Sequence, residues 1–400
     1  MTPPSSLASL PTIGGRRPLR VLFVSSTTQG GLGRSQRELN ALIRATGAET
    51  MMLVDKEEGS TLTRFLHEQL RDASIRFADT PVLGESATWL RSIPGRRPSE
   101  ADQEVDQTVL ISSAPENALP DLAVSFRPDI VVGSTIDRSA WRAIQETCET
   151  LHIPTALYLC GESALGHLMP RKGRPFRSDD LVLANSRSLV TSASAFRTKA
   201  HYVPSVVDVE AARVDSTRER ILLVHPCRDH GIQMIDSLAS NFRTIEFVLQ
   251  ESRSLDSKER AVVNSILSRH PNVSFRSRSG NPAEIFRDAA IVLAPHRVDH
   301  RPRIIREALG NGIPIIASDL PGLVEAVGPG GIIASDENEW FDAINILWQD
   351  PVVYRSYQRA ASDFANRDEI QPDHIARTFL TLVNKAIVDR RTKAVDIDLR

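Results

Sequence analysis

The sequence predicts an α/β protein made of two doubly wound parallel-sheet domains, and three observations lead there. Short apolar runs recur along the chain, stretches with helical spacing lie between them, and a charged segment without apolar pattern divides the series in two. A length of 400 residues suits two domains of about 150 residues each with some chain left over.

The elements follow in order. Residues 1–17, with Pro3, Pro4, Pro11, Gly14 and Gly15, read as a flexible tail. Apolar runs at 20–26, 51–54, 129–132, 155–159 and 181–184 read as buried strands, and 34–45 and 119–125 as helices between them. The polar stretch 92–108, with two prolines and a glycine, reads as a long surface loop. Together, 18–208 form the first domain and the charged residues 209–219 a linker. A second series of runs at 221–224, 245–249, 273–275, 290–293, 313–317 and 331–334 makes a domain of 220–352. The remainder, 353–390, is helical without a strand signal. Two such domains are expected to face each other across a cleft, with ligands outside the carboxyl ends of the strands.

Composition excludes several classes of function. The 48 Lys plus Arg against 50 Asp plus Glu leave a net charge of −2, which lacks the basic excess of a nucleic-acid binder. No apolar run approaches the roughly 20 residues that span a bilayer, and the first residues carry no secretory apolar core. Cys148, Cys160 and Cys227 form no close pair, so a reduced, cytoplasmic protein is expected. Arginines at 16, 17 and 20 and in the 171–177 stretch leave peripheral contact with an anionic surface open.

The sharpest segment is Asp299-His-Arg-Pro-Arg-Ile-Ile-Arg-Glu-Ala-Leu-Gly-Asn-Gly-Ile-Pro-Ile-Ile-Ala-Ser-Asp319. It passes from a strand through a polar loop into a helix near Pro302 and Arg303, which ends at Gly310-Asn-Gly312. The amino end of such a helix, here Arg303 and Ile304, offers N–H groups and partial positive charge to a phosphate. Arg301 and Arg303 add full charges, and Asp299 and Glu307 are acids eight residues apart.

This segment resembles the retaining glycosyltransferases of the GT-B fold, family-four type (glycosyl transferases group 1). Their pattern of an acid, seven residues, Glu, then Ala-x-x-x-Gly-x-Pro is matched by Asp299, Glu307, Ala308, Gly312 and Pro314. Gly322-Leu-Val-Glu-Ala-Val-Gly328 and 281–295 resemble the flanking segments of that family. In the first half, Gln29-Gly-Gly-Leu-Gly-Arg34 resembles its Gly-rich loop, and 184–188 and 202–208 its approach to the linker.

The resemblance implies a GT-B architecture: two Rossmann-like domains across a cleft and a C-terminal helix crossing back. It implies a nucleoside diphosphate sugar as donor, no other cofactor and no metal. Asp299 and Glu307 would contact the sugar and ribose hydroxyls. Arg228, Gly31, Gly33, His225, His230, Arg303 and Ile304 would line the donor diphosphate. Cys160 and Glu162 would meet the acceptor or the sugar, the acceptor being a glycan, a lipid or a small molecule.

Several positions depart from the family pattern. Asp299 stands for Glu, and Pro302 for the usual Gly. In Val224-His-Pro-Cys-Arg-Asp-His-Gly231, His225 and His230 occupy two positions that are normally Arg and Lys, and Arg228 lies between them. Cys160 ends a strand where relatives place a His. The spacing His225-x3-Asp229-His230 with His296-x2-Asp299-His300 offers metal-ligand types, but solvated loop histidines are the expectation. The replacements keep open an alternative, a catalytically silent GT-B protein that binds a sugar nucleotide or a glycan. A sugar-nucleotide epimerase fits the Asp299 and Glu307 spacing less well.

Overall fold

A computed structural model of the chain describes residues 17–25, 30–55, 75–79, 107–112, 115–134, 137–168 and 181–398. The chain divides into two compact units.

The first unit carries a sheet of eight strands: β1 (Arg20–Ser25), β2 (Glu49–Asp55), β3 (Ile75–Asp79), β4 (Gln107–Ser112), β5 (Ile130–Ser134), β6 (Thr155–Leu159), β7 (Leu181–Ala184) and β8 (Ala200–Tyr202). Their spatial order is β3-β4-β2-β1-β5-β6-β7-β8, and every pairing is parallel. The central strands are buried throughout, as sheets covered on both faces require. The helices are α1 (Gly30–Ala45), α2 (Pro115–Ser125), α3 (Arg138–Thr150) and α4 (Arg187–Ser194). Asp137 caps α3, its carboxylate accepting from the N–H groups of Ser139 at 2.7 Å and Ala140 at 3.2 Å.

The second unit has six parallel strands: β9 (Arg220–Val224), β10 (Glu246–Gln250), β11 (Val273–Arg276), β12 (Ala289–Ala294), β13 (Ile315–Ser318) and β14 (Gly331–Ala334), ordered β11-β10-β9-β12-β13-β14. Alternate residues of β9 enter different cores. Ile221 and Leu223 join Phe247, Ile266 and Trp340 on one face, while Leu222 and Val224 join Val292, Ile305 and Leu309 on the other. Its helices are α5 (Met234–Asn241), α6 (Ser257–Arg269), α7 (Pro282–Phe286), α8 (Arg303–Gly310), α9 (Pro321–Val327), α10 (Glu337–Gln349) and α11 (Pro351–Ala365).

A last helix, α12 (Pro372–Asp398), belongs to the first unit. Ile375, Ala376, Phe379, Leu380, Val383 and Ile387 are buried at helical spacing, and Phe379 stacks on Phe23 with centroids 6.1 Å apart. The buried Asp129 carboxylate, just before β5, gathers the start of β1 and the last helix. It accepts from both Arg17 guanidinium nitrogens at 2.7 and 3.0 Å and from Arg20 N at 3.0 Å, and lies 3.4 Å from Arg391.

Some boundaries differ from the sequence reading. Residues 1–16 of the tail and 92–106 of the expected loop lie outside the described residues, and Gln107 and Thr108 begin β4. The stretch 209–219 is packed into the second unit rather than linking two: Arg213 donates to Gly310 O, Val214 N to Asn311 Oδ1 and Ser216 to Ala289 O. The segment 353–390 divides, since α11 packs on α8 in the second unit and only α12 joins the first. The short runs β3, β4 and β8 carry too few apolar residues to stand out in the sequence.

Candidate functional site

In the second sheet the chain order reverses between β9 and β12: β10 and β11 extend one way, β13 and β14 the other. The loops after these two adjacent strands therefore emerge side by side at the carboxyl edge, where open α/β sheets place ligands. They are also locked together. Arg297 N donates to Asp229 O at 2.8 Å, and Gly231 sits so close to the second loop that a Cβ would lie 1.9 Å from Pro295 O. Gly231 also has φ +71, a backbone conformation that only glycine takes without strain.

This interlock collects four imidazoles. His225 follows β9 with φ +57, uncommon for a non-glycine residue, and is buried. Its ring meets His230 edge-on at 5.3 Å. His230 stacks on His296 at 4.3 Å and faces His300 at 5.4 Å, and His296 and His300 are near-parallel at 4.6 Å. His225 and His296 are each under 5% exposed, which corrects the expectation of solvated loop histidines.

Burial controls their charge. Desolvation, reinforced by Arg253 and His230, pushes His225 down to about 3. His230 falls to about 4 for the same first reason, with His300 and Arg253 adding to it and the Val224 carbonyl opposing. His296 lies well below the ordinary histidine value, through burial and then His230 and His300. Near pH 7 these three rings are neutral, so His225 and His230 do not replace the positive charge of the Arg and Lys they stand for.

The acidic positions are held just beyond. Asp299 Oδ1 accepts from Gly322 N at 2.8 Å, an approach that depends on glycine, since a Cβ there would lie 2.7 Å from the same oxygen. Helix α8 starts after Pro302 with no side-chain cap, so its first turn, Arg303 and Ile304 included, presents the positive end of the helix beside this loop. Glu307, one turn on, is buried, and its Oε1 accepts from Arg303 Nε at 3.0 Å, with side chains 5% and 9% exposed. Arg303, expected to face phosphate, is thus also the ion-pair partner of Glu307. Arg301 pairs with Glu325 at 3.2 Å, and Arg228 is exposed on the β9 loop.

The first-unit candidates lie on the other sheet. Gly31 and Gly33 belong to the first turn of α1 rather than to a loop before it. Cys160 follows β6; its thiol, pushed up to about 12 by burial, points at Tyr158 O from 3.7 Å. Glu162 opens a short 3-10 helix, Glu162–Leu168, and is exposed. His296 and His300 have ligand-type spacing in the sequence, but on spacing alone loop histidines read as solvated. The signal was a histidine immediately after, or one residue beyond, the ends of β9 and β12, each followed by a second one four or five residues on.

Residues 247–350 match the family model of glycosyl transferases group 1. The match holds α8, Asp299 and Glu307 and begins after the β9 loop with its histidine replacements. No curated protein matches the chain in sequence. Among solved structures it is similar to Anabaena HepE in complex with UDP and glucose, at 13% identity and TM-score 0.67, covering 92% of this chain and 99% of that one. It is similar to sucrose-phosphate synthase of Thermosynechococcus elongatus, at 15% identity and TM-score 0.67, covering 93% and 100%. The pneumococcal O-GlcNAc transferase GtfA, in complex with UDP and GlcNAc, follows at 10% identity and TM-score 0.64, covering 93% and 100%. Among the described residues no helix is long and apolar enough to cross a membrane. The chain has the GT-B fold, and residues 247–350 of its second unit are similar to glycosyl transferases group 1.

Proposed function

We propose that the protein is a retaining glycosyltransferase that transfers a sugar from a nucleoside diphosphate sugar. The observation that carries this reading is the placement of Asp299, Glu307 and the uncapped start of α8 at the switch point of the second sheet, inside the family-matched segment. Solved structures of the same fold hold UDP with glucose or GlcNAc, which supports a nucleoside diphosphate as the donor's leaving group.

In this reading Glu307 accepts hydrogen bonds from the ribose hydroxyls, and Arg303 Nε, 3.0 Å from Oε1, holds its carboxylate in place. Asp299 contacts hydroxyls of the transferred sugar. As the bond from the anomeric carbon to the diphosphate oxygen breaks, negative charge grows on the leaving group. The N–H groups of Arg303 and Ile304 and the Arg228 guanidinium stabilise that charge, the largest single term such a site can supply. The acceptor hydroxyl bonds to the anomeric carbon from the same face and passes its proton to a diphosphate oxygen, which retains the configuration. In the first unit, Gly31, Gly33, Cys160 and Glu162 are the groups assigned to substrate.

Calorimetric titration with UDP, GDP, ADP and dTDP tests the donor site. One diphosphate binds, and Glu307→Gln weakens it at least ~10-fold, as expected for lost charge-assisted hydrogen bonds. Undiminished binding to Glu307→Gln would remove the assignment. The neutral His225 and His230 favour one second reading, a protein that binds the donor without transfer. Release of labelled sugar from the donor, or its absence while binding persists, separates the two.

A further inference from the structure

We propose that His230, His296 and His300 form a binding site for a divalent transition-metal ion of the Zn2+ class. The three side chains come from two loops that the Gly231 contact and the Arg297–Asp229 hydrogen bond fix against each other, and their ligand nitrogens all lie within 4.8 Å of one another. Tetrahedral coordination at the Zn–N distance sets nitrogens ~3.3 Å apart, so the ion draws the ligand atoms together by at most ~1.5 Å. His300, half-buried in the loop before α8, is the member placed to move.

The groups that orient the rings are present as well. His230 Nδ1 lies 3.2 Å from Val224 O, and His300 Nδ1 lies 2.9 Å from Val298 O. A carbonyl oxygen only accepts, so both Nδ1 atoms carry the proton and both Nε2 lone pairs are free to ligate. A ring N–H donated to a backbone carbonyl is the arrangement that orients metal-binding histidines. His296 contributes a different sign: its Nδ1 is buried without a hydrogen-bond partner. Such an orphan costs about 1–3 kcal/mol unless something satisfies it, and a metal ion does.

The donor set selects the ion. Three imidazoles with no carboxylate among them suit Zn2+, Ni2+ or Cu2+ and disfavour Mg2+ and Ca2+. Three protein ligands leave a fourth position open to water or to an anionic oxygen. The site departs from the metal-free expectation drawn from the sequence, and it stands on its own geometry rather than on the donor assignment. A bound dication would return to this corner the positive charge that His225 and His230 fail to supply.

The test uses the full chain, free of any tag and stripped with a chelator. It is titrated with Zn2+ in competition with a chromophoric chelator and, separately, with Co2+. The expected result is one ion per chain, visible Co2+ absorption bands, and a rise in melting temperature with Zn2+. His296→Gln and His300→Ala each weaken binding at least ~10-fold and lose the thermal shift, while His152→Ala, an exposed residue of the first unit, leaves both unchanged. His300→Ala, at a half-buried loop position, guards against a His296→Gln variant that fails to fold. No uptake by the parent protein overturns the site. So does uptake that survives both variants and disappears instead with Cys227→Ser, whose group includes His225 and Glu259. UDP titration of the same samples reads the donor assignment separately: a protein that takes up the ion through these histidines but no UDP keeps the metal site and loses the donor reading.

Discussion

The two sheets reverse direction in the same way, the first between β1 and β5 and the second between β9 and β12, yet their carboxyl edges are chemically unlike. At the first edge the described groups are the glycines that open α1, a protonated thiol at Cys160 and the exposed Glu162. At the second, four imidazoles are pressed together beside an internal Arg303–Glu307 pair and an Asp299 tied to the Gly322 backbone. Topology selects where a site can be. Loop interlock decides whether titratable groups are buried there, and burial decides their charge.

The comparison breaks most visibly at Glu307. Glu307→Ala takes the buried carboxylate 3.0 Å from Arg303 out of the structure and should cost about 3–5 kcal/mol in a urea unfolding curve. The double variant Arg303→Met with Glu307→Leu should recover most of that; if it is as unstable as the single one, the pair is not what holds α8. Gly231→Ala comes next, at about 3 kcal/mol, from a Cβ forced onto Pro295 O and a φ of +71. A variant as stable as the parent would show that the two loops do not interlock.

A third prediction concerns pH in chelator-treated protein. His225 and His230 have folded values near 3 and 4, below an unfolded value of 6.5, so the unfolded chain binds more protons over that window. Stability is therefore complete above about pH 6.5 and is lost as pH falls toward 4, by about 3 kcal/mol for His230. Unfolding curves that are flat between pH 7 and pH 4.5 would contradict the buried cluster. The smallest effect belongs to the first edge. At Gly161 an added Cβ would meet nothing within 4 Å, so Ala should be tolerated within about 0.5 kcal/mol. A larger loss in thermal unfolding would mean that this edge is also tightly packed.

Much of this was legible from sequence. The strands of the second sheet were read within a residue or two because their apolar runs are short, dense and bounded by polar loops, and β6, β7 and β14 match their runs to the residue. Asp299 and Glu307 stand out through the likeness of their segment to group 1 glycosyltransferases, and the start of α8 through Pro302 and the Gly310-Asn-Gly312 stop. The histidine cluster does not, because spacing along a chain says nothing of which loops are adjacent; that depends on β9 pairing with β12, a contact across some 70 residues. Nor does sequence show that Arg303 turns back onto Glu307, since an i, i+4 pair can equally point outward. The division of 353–390 escaped for a related reason. The helical pattern runs on, and only the packing of α11 against α8 and of α12 against the first sheet separates them.

That division has a consequence for biosynthesis. The second unit is almost continuous in sequence, but the first needs the helix Pro372–Asp398 to be complete. On the ribosome the second unit can therefore close as it emerges, while the surface around Phe23 waits until Phe379 has been made. Loss of the chain from Pro372 onward would leave the second unit's own packing in place and strip apolar cover from the first, so a frameshift or nick near residue 370 damages a unit that precedes it by hundreds of residues.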